Sequence, residues 1–130
     1  MDGGKEILVE YKKSRDSLLL EKIPDRKHAE LLFNFLKLLP IGKKFKATAS
    51  SGSMEPLILK GDEVEIERVN FSKLVKGDII AFWSPEFKNI VIHRFYKTEQ
   101  GRIITKGDDN LVADPSSVNI TNFLGKMVQD

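Results

Sequence analysis

The tripeptide Lys-Gly-Asp occurs at 60–62, 76–78 and 106–108, and it cuts the chain beyond position 42 into short segments. Glycine accepts a positive φ, and aspartate hydrogen-bonds nearby backbone, so each copy reads as a turn. Between and after the turns lie EVEIERV (63–69), DIIAFW (78–83), NIVIHRFY (89–96) and RIITK (102–106). These stretches are rich in β-branched and aromatic residues and read as strands. In 63–69, apolar and charged residues alternate, as in a strand with one wet face. VNITNFLGKMV (118–128) supplies one or two strands more. The three copies are unequally spaced, which argues against a repeat architecture. The expected fold is mainly β (α+β), a coiled antiparallel sheet or open barrel.

The first 42 residues have a different pattern. EILVEY (6–11) reads as a short strand, and DRKHAELLFNFLKLL (25–39) as an amphipathic helix. Asp25 caps the helix, and Leu31, Leu32, Phe35, Leu36 and Leu39 are read as its apolar face. Pro40 and Gly42 end it. This stripe either packs on the rest of the domain or lies in a membrane interface. The organisation read from this is a helical segment, 1–42, packing on or docking a β domain, 43–130.

Composition removes several function classes. At 130 residues, with 41% hydrophobic and 31% charged, the chain suits a single soluble domain with a real core. A net charge of +2, with no long basic run, gives no footprint for nucleic acid. The absence of cysteine excludes disulfides, thiolate–metal sites and a cysteine nucleophile. MDGGKEILVEYKKSRD has neither the apolar core nor the cleavage site of a signal peptide. The apolar run LLFNFLKLLPIG (31–42) is interrupted by Lys37 and Pro40 and is too short to span a bilayer.

SGSMEP (51–56) is composed like a surface turn, yet the apolar LIL (57–59) follows at once. The expectation is a tight turn leading into a core strand, with Ser53 at its lip. A serine hydroxyl is a weak nucleophile until a base takes its proton. The β region offers one histidine, His93. On a strand it shares a face with Val91 and Phe95, apolar neighbours that keep an imidazole neutral, as a general base must be. TKGDDNLVADPSS offers Asp108, Asp109 and Asp114 to orient the ring, and spacing does not choose among them. With Asn110 they also make an oxygen-rich set for calcium, but not with EF-hand spacing. No metal or other cofactor is expected.

Taken together, SGSMEPLILKGDEV, IVIHRF and TKGDDNLVAD resemble the boxes of the type I signal peptidase family, in its archaeal and endoplasmic-reticulum-type Ser/His branch. The resemblance covers roughly 48–128. It implies a β-rich fold of the signal peptidase type and a serine endopeptidase that cleaves a leader or signal peptide after a small residue. It implies Ser53 as nucleophile, His93 as general base and Asp114 as the acid, with Asp108 structuring the site. Asp109 stands where the family has asparagine, and Ala113 where it has aspartate. By the same carry-over, the Ser51 hydroxyl and the Ser53 N–H form the oxyanion hole, and Gly52 admits the substrate backbone. Met54 and Pro56 shape the groove wall. The peptide is expected to bind as an added, extended strand.

Signal peptidases carry a membrane anchor, where this chain has a charged N-terminal segment. The expected location is therefore membrane-associated without a span in this chain, or else cytoplasmic. The competing function is a LexA-like regulatory or peptide-binding module. Such proteins use a Ser/Lys pair and are expected to carry a helix-turn-helix, whereas 1–42 supplies one good helix.

Overall fold

The computed structural model describes residues 9–10 and 26–129. The strands are β1 (Val9–Glu10), β2 (Lys44–Thr48), β3 (Glu63–Glu67), β4 (Ile79–Ser84), β5 (Asn89–Glu99), β6 (Arg102–Lys106) and β7 (Phe123–Met127). One helix, α1 (Arg26–Lys37), precedes β2. The strands form one antiparallel sheet in the order β1-β2-β3-β7-β4-β5-β6, with β1 only two residues long. β1 and β6 are not paired to each other, so the sheet is open. Of the expected 6–11 strand, only Val9–Glu10 falls within the described residues.

The sheet is covered on both faces, and β4 shows it most clearly. Ile79 and Ala81 enter one buried cluster with Leu36, Phe45 and Ile66, while Ile80 and Phe82 enter another with Phe95, Ile103 and Phe123. Alternate residues of a strand point to opposite faces, so a near-continuous apolar run marks a strand buried on both. Burying a side chain such as Leu36 contributes about 2 kcal/mol.

α1 closes the first cluster with Ala29, Leu32, Phe33 and Leu36, and Phe33 lies 5.8 Å from the Trp83 ring. Of the face read from sequence, Leu32 and Leu36 are buried and Leu39 packs against the same cluster, while the other two residues are not buried. Leu31 and Phe35 are exposed, at 65% and 42%, and Leu38 is exposed beside them. The apolar residues 31–33 and 35–36 cover more than one i, i+4 row, and the row that meets the sheet is the one that adds Ala29 and Phe33 to Leu32 and Leu36. The helix C-terminus leaves carbonyls without intrahelical partners. Those of Phe35 and Leu36 accept the Leu38 and Leu39 N–H groups, and the buried Arg68 donates to the carbonyls of Lys37 (3.1 Å) and, beyond the helix, Leu39 (3.1 Å), and across to Leu124 (2.5 Å). Burial pushes the Arg68 guanidinium down from its usual value. It does the same to the Lys37 ammonium, to which the Arg68 charge adds.

Two further sequence expectations change. LIL (57–59) is not a strand: it lies in a run of turns where Ile58 is buried and Leu57 and Leu59 are about half exposed. β2 was not anticipated; KFKAT has two lysines and buries only Phe45 deeply, so its alternation is faint. The stretch 118–128 yields β7 and a lone bridge from Val118 to Ile103.

Candidate active site

The three Lys-Gly-Asp turns are not equivalent, and the difference builds the site. In the first two, Gly61 and Gly77 have φ of 94° and 100°, conformations that favour glycine. Asp62 and Asp78 each accept the backbone N–H three residues earlier, from Leu59 and Val75, which closes the turn locally. Gly107 has no positive φ; it is glycine because of close approach. A Cβ there would lie 2.8 Å from the Ser53 carbonyl oxygen and 2.6 Å from the Asn110 amide nitrogen. Asp109 donates its N–H to that Ser53 carbonyl at 2.8 Å, and Asp108 donates its own to the Met54 sulfur at 3.4 Å. The 107–110 turn therefore holds the Ser53 backbone from behind.

Asp108 in turn is fixed by Arg94. The guanidinium meets its carboxylate with two parallel bonds of 2.8 and 2.7 Å, and donates a third to the Gly77 carbonyl at 2.9 Å. Hydrogen bonds from Arg94, seconded by its charge and against a smaller desolvation cost, hold the Asp108 carboxyl below the usual aspartate range. The same hydrogen bonds raise the Arg94 guanidinium. The second and third Lys-Gly-Asp turns are thus tied together through β5.

β5 supplies the histidine. His93 is buried, at 3% exposure, with its ring 6.3 Å from Phe82 in an edge-on arrangement. Its neighbours two residues either way, Val91 and Phe95, pack with the same cluster, as the alternation requires. Nε2 lies 3.0 Å from the Ser53 hydroxyl and Nδ1 lies 2.6 Å from Asp114 Oδ2. Ser53, His93 and Asp114 are thereby in one continuous hydrogen-bonded row. The same Asp114 oxygen accepts the Thr105 hydroxyl at 2.6 Å. Sequence reasoning passed over Thr105. Its only signal was a threonine at an inward position of the alternating strand RIITK.

The other sequence-derived candidates lie as follows. Ser51 Oγ accepts the Ser53 N–H at 3.3 Å and lies 3.3 Å from Ser53 Oγ, so the two expected oxyanion donors sit together, turned to each other. Gly52 lines the groove, and the Glu55 carboxylate stands 2.7 Å from where a Cβ of residue 52 would lie. Met54 is buried and lines the groove; Pro56 is exposed and is not among its lining residues. Asp109 lines the groove, Asp108 faces Arg94 and Asp114 faces His93. Among the described residues, no group of three or more metal-ligating side chains is assembled.

The row opens into a groove of about 660 Å³ between residues 48–55 and β5 residues 89–93. β6 pairs with β5 only from Arg94 onward, so the outer edge of 89–93 has no strand partner among the described residues. A nucleophile, a base and an acid at hydrogen-bond distance beside an open edge are the parts needed for acyl transfer from an extended peptide. No helix among the described residues is long and apolar enough to cross a membrane. Comparison with protein-family models, with curated proteins and with solved structures gives no match.

Proposed function

We propose that this chain is a serine endopeptidase of the signal-peptidase type that cleaves a leader peptide after a small residue. The observation that carries this reading is the row Ser53–His93–Asp114, at 3.0 and 2.6 Å, facing an open groove. The resemblance of the SGSMEP, IVIHRF and TKGDDNLVAD stretches to that family supports it independently of the distances.

In this reading Ser53 Oγ attacks the scissile carbonyl while His93 Nε2 takes its proton. Asp114 stabilises the imidazolium through Nδ1–H. The imidazolium then protonates the leaving amine, and the C–N bond breaks. Water, deprotonated by the same nitrogen, hydrolyses the resulting ester and restores Ser53. The Ser51 hydroxyl and the Ser53 N–H turn from each other to the developing oxyanion, and one such donor contributes about 3 kcal/mol. The substrate adds as a strand along 89–93, whose free edge favours that mode. Exposed Leu57 and Leu59 after the serine, and Leu111 and Val112 in the loop leading to Asp114, favour a peripheral contact with lipid.

The test is cleavage of leader-derived peptides by the purified protein, with and without lipid vesicles, beside Ser53→Ala and His93→Ala. The expected result is a cut after a small residue that vanishes in both variants and quickens with lipid. Cleavage surviving Ser53→Ala would overturn the assignment. No cleavage of any peptide, with binding retained, would favour a peptide-binding module.

A further inference from the structure

We infer that Thr105 is a positioning residue of the row, holding Asp114 so that its second proton acceptance site faces His93. This rests on the peptidase reading for its kinetic consequence, though not for its structural one. Thr105 is fully buried on β6, on the inward side shared with Ile103. Valine would fill that place with the same shape and the same stiff χ1, so packing alone does not call for a hydroxyl. A buried hydroxyl with no partner is costly, and this one has a partner: it donates to Asp114 Oδ2 at 2.6 Å. Asp114 also donates its backbone N–H to the Thr105 carbonyl at 2.8 Å. The two residues are thus clamped to each other by both backbone and side chain.

The oxygen that takes the Thr105 hydroxyl is the one that meets His93 Nδ1. A carboxylate only accepts, so the oxygen that Thr105 holds in place takes the Thr105 proton on one lone pair and is paired with Nδ1 as the ring's donor on the other. Nε2 is then left with its lone pair toward Ser53. A threonine one step removed from the reacting atoms thereby fixes the rotamer of the carboxylate that in turn selects the tautomer of the base. Charged groups around the ring include Asp114, from the loop after β6, the Arg94–Asp108 pair with Lys106 beyond it, and Glu55 and Asp109, which line the same groove.

The test compares the wild type with Thr105→Val and Thr105→Ser, using peptide cleavage and proton–nitrogen NMR of the imidazole. The chain has two histidines, so a His28→Gln control assigns the His93 signals. The expected result for Thr105→Val is a loss of about tenfold in kcat with KM nearly unchanged, together with a His93 Nδ1 proton that broadens or moves. Thr105→Ser, which keeps the hydroxyl, restores both. In the wild type itself, the Thr105 hydroxyl proton gives a cross-peak to the His93 Nδ1 proton, a result independent of how well the valine variant folds. An unmoved Nδ1 signal and unchanged kcat in a folded Thr105→Val, or a wild type lacking that cross-peak, would overturn the inference. The NMR arm needs no substrate, so a failed peptidase reading shows as a protein without cleavage that still passes the spectroscopic test.

Discussion

At the scale of single residues, the account makes Asp114 the group that keeps His93 in its working tautomer. Asp114→Asn preserves shape but offers an amide that can donate as well as accept, so the ring is free to turn over. The expected loss in kcat is about 10³- to 10⁴-fold, with substrate affinity little affected, read by steady-state cleavage of one peptide. The three aspartates could not be ranked from spacing alone, because Asp-Asp-Asn and Asp-Pro read as turn chemistry in any chain. Only the resemblance singled out Asp114, and the geometry brings that carboxylate to the ring.

Among the elements, the Arg94–Asp108 pair links β5 to the loop that braces Ser53. Arg94→Ala removes a two-pronged, partly exposed ion pair, and the expected cost in stability is about 1 kcal/mol, with a larger fall in activity as the 107–110 turn loosens. Thermal unfolding and cleavage measured on one sample check both. The pH sign follows from the direction of the shift. Because folding lowers the Asp108 carboxyl, its contribution is complete above the ordinary aspartate value of about 3.9 and is lost as pH falls through its lower, folded value. The pH-dependent part of the Arg94 contribution should therefore vanish in Asp108→Asn, while its bond to the Gly77 carbonyl remains. Beyond β3, Arg68→Met removes the donor to the carbonyls of Lys37, Leu39 and Leu124. The expected destabilisation is about 2–3 kcal/mol, read by denaturant unfolding. Elements with strong alternation or long apolar runs, β3, β4 and β5, were legible in the sequence. The sheet-facing row of α1 was legible only in part: Leu32, Leu36 and Leu39 were named, but Leu31 and Phe35 are as apolar as they are, and only the partner surface decides between them.

For the molecule as a whole, the open sheet sets the histidine in a buried strand and the serine on an exposed turn, and the groove runs between them. A mainly β, open, antiparallel sheet with one helix was readable because turn residues and β-branched runs alternate through most of the chain. The topology was not, since placing β7 between β3 and β4 depends on pairings distant in sequence. The central claim is that Ser53 becomes acylated with His93 as its base, and the most direct measurement is the intact mass of the protein after exposure to an activated peptide ester. The account predicts one acyl group per chain, mapped to Ser53, absent in Ser53→Ala and formed far more slowly in His93→Ala. An adduct on another residue, or acylation equally fast without His93, would contradict it.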